Sequence, residues 1–380
     1  MTSDTTLIAD RVGPVVIARD NVTLDCAGHS VTGTGRDMGI VADGRTGITV
    51  RNCDVSGFAT GFWIASTEES RFEGNASHDN VVPGGKPAGW NLGAGMWITS
   101  SNGNEFVANR VFDNPGDGFD FMQSSANSVV ENVASGNAMA GVYVGKSADG
   151  NIFERNVVER NVRGGFLLSS NSDTTATGNV ARDNGDTGFS INDAARGRYE
   201  GNQATGNAGS GFWISDGSTG VELASNHAEA NVGSGFNVNT GSTDNRLVGN
   251  TAIGNDFTGI IVTTESTGNY LSDNWAIGNL RGFGVSLGAY ANTLERNTAR
   301  DNGPGCESLC GGFILYQTSG NVLRQNVSVA NTGHGYGLHE AVANTLISNA
   351  ACDNSDGNSF EDALSSGNSW SADSFCEPTP

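Results

Sequence analysis

Asn151 to Gly165, read NIFERNVVERNVRGG and followed by the strand-like FLLSS, carries the pattern on which this chain is organised. An apolar residue is followed three positions on by Asn. A small or apolar residue comes two positions later, then a second Asn, then Gly-apolar-x-apolar. The first Asn returns at Asn75, Asn109, Asn132, Asn156, Asn179 and onward to Asn349, with most gaps 23 or 24 residues. The second follows five residues later, from Asn80 and Asn114 to Asn354. A period of this length marks units that cannot bury an apolar face alone and must stack on their neighbours.

Three columns then point inward. One lies three residues before the first Asn (Phe106, Val129, Phe153, Leu247) and one two residues after it (Val111, Ala134, Val158, Ala252). The third follows the Gly and alternates with period two, as in Phe119/Phe121 and Val142/Val144. Period two is the signature of strand, not helix. Asn recurring at one coil position suits an amide ladder, and Asn and Gly both tolerate the left-handed backbone of tight corners. A leucine-rich repeat needs several Leu and one Asn per unit and usually a helical segment. Here Leu is sparse, Asn comes twice, and no window shows helical spacing.

The expected fold is all-β: a single-stranded right-handed parallel β-helix of about fourteen coils with end caps. From Val22 to Trp370 the chain resembles the right-handed parallel β-helix repeat proteins of the pectate-lyase-like superfamily. That resemblance implies a fold; the scaffold hosts many activities. The expected organisation is one domain, 1–380. Residues 1–17 form an N-terminal cap, 18–354 the coils with loop insertions at 81–92 and 304–310, and 355–380 a C-terminal cap. Caps are expected because an open strand stack recruits other chains. Long loops thrown from a rigid scaffold often carry function.

The net charge of −21 argues against a nucleic-acid partner, and no apolar run is long enough for membrane insertion. Met1 is followed by polar residues, so no signal peptide is read here. The six cysteines fall in local pairs: Cys26 with Cys53, Cys306 with Cys310, Cys352 with Cys376. Such spacing fits disulfides and an oxidising compartment, hence a secreted or cell-surface protein, with a cytoplasmic location as the alternative.

Chemistry is expected where the Gly-apolar-x-apolar strand turns its middle residue outward. That column includes Trp63, Trp97, Asp120, Tyr143, Leu167 and Trp213. Flat aromatic faces stack on sugar rings, so Trp63, Trp97, Tyr143 and Trp213 are candidate substrate platforms. Asp120 is the lone carboxylate of the column, with Asp117 three residues earlier, Lys146 at the end of the next strand and Arg163 one coil on. Flanking aromatics would desolvate Asp120 and raise its pKa, as a general acid requires. Asp120, Asp117 and Lys146 are therefore the candidate catalytic residues, with Arg163 contacting substrate. Two carboxylates suit glycosidic hydrolysis or transfer; a Lys near an Arg suits β-elimination on a uronate. Polysaccharide lyases of the superfamily imply a Lys-Ser pair followed on the next strand by Arg-His. Lys146-Ser147 matches the first, but Ser169-Ser170 stands in place of the second.

Asp193 and Asp216 occupy one position on neighbouring coils, where stacked like charges would share a proton or bind a cation such as calcium. Both are also candidate substrate contacts. His29, His78, His227, His334 and His339 lie on well-separated coils, except the last two, which cluster with Glu340, so a resemblance to the periplasmic copper-maturation β-helix proteins is one of fold alone. The expected function is a carbohydrate-active enzyme working without a required cofactor on a poly- or oligosaccharide, a hydrolase or transferase before a lyase. The alternatives are a non-catalytic glycan-binding or cell-surface structural rod, and a small-molecule tailoring enzyme.

Overall fold

The computed structural model describes residues 1–82 and 92–376. The insertion expected at 81–92 therefore falls, from 83 to 91, outside the described residues. The chain divides into two compact units, Met1–Asp186 and Thr187–Pro380. Both are built of right-handed parallel β-solenoid coils, each coil giving one short strand to each of three parallel sheets. No helix occurs among the described residues, and none there is long and apolar enough to cross a membrane. The winding amounts to about 16 turns rather than fourteen. The difference lies at the ends. Thr5–Thr6, Arg11–Val12 and Val15–Ile17 already pair with the following coil. Ser359–Glu361, Ser369–Ser371 and Ser374–Phe375 pair with the preceding one.

In both units the columns read from the repeat are the core. In the first, Phe72, Phe106, Phe119, Phe121, Phe153 and Phe166 are buried, with Phe72 stacked on Phe106 at 5.1 Å and Phe106 edge-on to Phe121 at 5.4 Å. In the second, Phe189, Phe212 and Phe236 stack at 4.8 Å steps, the strand spacing itself. Each buried Phe contributes about 1.5–3 kcal/mol of transfer free energy. The glycine before the third strand serves close packing: a Cβ on Gly141 would overlap Val158 and the Asn161 amide of the next coil.

The Asn columns form ladders, and there are three of them, one at each corner of the coil. Asn132 is representative. Its Oδ1 accepts the Asn109 backbone N–H at 2.8 Å and Nδ2–H at 2.9 Å. Its Nδ2 donates to Asn156 Oδ1 and to Phe106 O. The second corner repeats this through Asn114, Asn137 and Asn161. The third runs through Asn104, Asn127 and Asn151 in the first unit, and through Asn245, Asn269, Asn292, Asn321 and Asn344 in the second. The ladder asparagines do not themselves take the left-handed conformation. The residue just before each one does, as at Ala108 (φ 53°), Glu131 (φ 57°) and Arg155 (φ 51°). That neighbour turns the corner and frees the Asn side chain to point down the stack.

All six cysteines are paired as their spacing suggested: Cys26–Cys53, Cys306–Cys310 and Cys352–Cys376. Cys53 N–H donates to Asn75 Oδ1, the first rung of its ladder. The Cys26–Cys53 bond thus stands where two earlier rungs would be.

Candidate functional site

Strands Met96–Thr99, Phe119–Met122, Val142–Gly145 and Phe166–Ser169 lie side by side in the third sheet of the first unit. Their register pairs Trp97 with Asp120, Asp120 with Tyr143, and Tyr143 with Leu167. The alternate residues Phe119, Phe121, Val142, Val144, Phe166 and Leu168 are locked in the core. Period-two alternation therefore turns Asp120, Tyr143 and Leu167 to the outer face. Asp117 stands at the corner entering this strand, where its Oδ1 accepts the backbone N–H of Ala140 at 2.8 Å.

These groups enclose a cavity of about 160 Å³. Asp117, Asp120, Tyr143 and Arg163 supply its polar wall, and Met139, Ala140 and Leu167 the apolar remainder. Asp120 is outward but not exposed. Only 1% of it meets solvent, and its Oδ1 is buried with no hydrogen-bond partner among the described residues. Burial, together with the nearby charge of Asp117, pushes the Asp120 carboxyl up to about 8. Asp117 rises to about 6: burial lifts it, while the Ala140 N–H and the Arg163 guanidinium hold it back. The Tyr143 hydroxyl is raised as well, by burial first and then by the two carboxylates. Near neutral pH the pair therefore holds one proton, on Asp120, opposite an ionised Asp117.

The other expected residues divide. Trp97 flanks Asp120, is half-buried, and leaves its indole Nε1 buried without a partner among the described residues. Trp63 packs on Trp97 with ring centroids 4.0 Å apart and planes tilted by 51°, so the two do not form one flat shelf. Lys146 does not join the carboxylates. It is exposed, takes a left-handed φ of 40° just past the strand end, and does not line the cavity; the corner turns the chain away there. Trp213, half-buried, belongs to the second unit, as do Asp193 and Asp216. Those two aspartates follow the paired Asn192 and Ser215 and are exposed. Among the described residues no group of three or more His, Cys, Asp or Glu is arranged to hold a metal ion, so the calcium expectation gains no support. Sequence reasoning missed Met139, Ala140 and Leu167 as cavity walls. Leu167 was in the outward column already; the other two sit on a corner with no pattern to mark them.

A family model described as the right handed beta helix region matches residues 16–181 and 149–276. A second, described as periplasmic copper-binding protein (NosD), matches residues 231–375. In that stretch His334 and His339 lie against the Phe360 ring, at 4.5 and 5.1 Å, and Asp362 stands 4.0 Å from His339 Nδ1. Among the described residues no third His, Cys, Asp or Glu completes a group placed to hold a metal ion there. No curated protein matches the chain. Among solved structures, the A-module of the Azotobacter vinelandii mannuronan C-5 epimerase AlgE4 is 14% identical at a TM-score of 0.59, over 93% of this chain and 90% of that one. The Dettilon tailspike protein is 14% identical at a TM-score of 0.55, over 70% of this chain and 59% of that one. At such identities the likeness is one of fold.

Proposed function

The chain belongs to the right-handed β-helix family, and on that scaffold we propose that it is a carbohydrate-active enzyme whose acid/base pair is Asp120 and Asp117. The observation that carries this reading is the buried Asp120 carboxyl with an unsatisfied oxygen, held neutral at pH 7 beside an ionised partner. Two carboxyl groups whose surroundings drive their pKa values apart are an acid and a base ready for use. In the hydrolytic route Asp120 gives its proton to the departing glycosidic oxygen. Asp117 takes a proton from the water, or from the acceptor hydroxyl, that attacks the anomeric carbon. Tyr143 and Leu167 present flat and apolar surface to a sugar ring, and Arg163 a cation. The three disulfides favour a secreted or cell-surface location.

Arg163 favours a second reading. A guanidinium at the wall can neutralise a uronate carboxylate, which acidifies the adjacent C–H for abstraction. That chemistry leads to elimination or epimerisation, and the similar module is named as a mannuronan C-5 epimerase. Lys146, exposed and outside the cavity, has no part in either route.

The test is a screen of neutral and uronate polysaccharides for reducing ends, unsaturated product absorbance and changed sugar configuration. The pH profile of kcat/KM on any active substrate should be bell-shaped. Activity rises as Asp117 ionises near 6 and falls as Asp120 loses its proton near 8. A profile without those two limbs would remove Asp117 and Asp120 as the acid/base pair, and binding of a glycan with no product of any kind would remove the enzymatic reading and leave a glycan-binding rod.

A further inference from the structure

The outer face of the third sheet in the second unit carries a separate groove. Strands Thr258–Val262, Arg281–Ser286 and Gly311–Tyr316 align Ile261, Gly284 and Ile314 side by side. Gly284 contributes no side chain to that row, and a space of about 220 Å³ opens over it. A Cβ there would come within 3.1 Å of Ile261 Cγ1, so the glycine leaves the floor low. Phe257, Leu287, Leu309 and Tyr316 stand around it. Phe257 and Leu287 remain 44% and 51% exposed, apolar surface gathered at one place instead of scattered singly.

Arg281 stands at the rim. Its Nε donates to Leu309 O and its Nη2 to Ser308 O, each at 3.0 Å, and its guanidinium lies 5.1 Å from the Phe257 ring centroid. The Cys306–Cys310 disulfide closes the loop that offers both carbonyls, so the guanidinium is held from three sides. No carboxylate pairs with it among the described residues. Arg51, Arg71, Arg155, Arg198 and Arg296 have acidic partners, whereas Arg110 and Arg246, like Arg281, lie over an aromatic ring. Burial alone acts on Arg281 and draws its pKa down. Nη1 makes no hydrogen bond among the described residues. A fixed, partly desolvated cation without a counter-ion, beside open apolar surface, lacks an anion with an apolar body.

We propose that this groove binds a small monocarboxylate with a flat or aliphatic body, the body lying over Gly284 and the carboxylate on Arg281. A single cation suits one carboxylate better than a phosphate, whose several oxygens call for more donors than this rim offers. The site is independent of the Asp117–Asp120 cavity, and its occupancy does not require turnover.

Binding of 2-naphthoate, measured by isothermal titration calorimetry, tests the proposal, with neutral 2-naphthalenemethanol as the control. Naphthoate should bind, and the alcohol should bind more weakly by on the order of tenfold. Arg281→Gln should cost naphthoate a similar factor and leave the alcohol unchanged, while Arg281→Lys restores part of the loss. Gly284→Val, which fills the floor without touching the 304–310 loop, should abolish binding of both. Circular dichroism melts identify any variant that fails to fold. No naphthoate binding up to millimolar concentration overturns the proposal. So does binding that survives both Arg281→Gln and Gly284→Val in folded protein.

Discussion

Replacing Asp120 by Asn is expected to abolish turnover and, in the same protein, to raise stability at neutral and alkaline pH. The loss of activity follows from the loss of the transferable proton and should amount to about 10²–10⁴-fold. The gain in stability follows from linkage. The folded pKa of Asp120 lies at about 8 against an ordinary 3.8, so the folded chain holds this proton more tightly than the unfolded chain. Below pH 3.8 the native carboxyl carries no ionisation penalty. As pH rises the unfolded chain releases the proton first, and native stability falls until about pH 8. An amide does not ionise and removes that slope. At pH 7 the gain should be on the order of 2–4 kcal/mol, after allowance for the extra N–H groups that Asn brings into a site with few partners. Urea melts of both proteins at about pH 5.5 and about pH 8 measure it, and the difference should widen with pH. A variant that is less stable than the native protein at both values, by equal amounts, would mean that Asp120 is an ordinary satisfied side chain and no acid. Sites kept for function at a cost in stability behave in the expected way.

Asn132→Leu should be among the most damaging substitutions in the first unit. Leu matches Asn in size but offers nothing to the Asn109 backbone N–H, the Asn109 amide or Phe106 O, all of which Asn132 now serves. Each buried group left unpaired costs about 1–3 kcal/mol, which for the three sums to roughly 3–9 kcal/mol. The comparison is Asp373→Ala. Asp373 Oδ1 accepts from the Asn349 backbone N–H and Nδ2, but it is only half-buried, and water can replace it for about 1 kcal/mol. Equilibrium unfolding of the two variants decides the matter. Equal losses would show that the inner rungs carry no more than the last one.

The coil was legible because its rules are local and repeat. An apolar residue before Asn, a small one after it and Gly before an alternating strand each have one packing consequence. With in-register parallel stacking they were enough to make Trp97, Asp120 and Tyr143 neighbours. The third Asn column was equally present in the string, at Asn104, Asn127 and Asn151, but Thr174 breaks it where the fourth rung should be. The burial of Asp120 was not legible. Alternation tells which way a side chain leaves the sheet, not what stands over it, and the cover comes from Met139, Ala140 and Arg163 on corners without a pattern. The place of Lys146 was not legible either: it is near Tyr143 in sequence, but the strand ends at Gly145 and two left-handed residues, Lys146 and Ser147, follow.

Within an unbroken row each amide passes its N–H forward and receives on its oxygen, so the row has a donor end and an acceptor end that are chemically unlike. Asp373, which can only accept, is a full stop written in that grammar: it takes the last pair of hydrogens and has none to hand on. Grafting one more turn behind it would therefore require an amide at that position first, and whole turns spliced between existing asparagines should be tolerated where fractions of a turn are not.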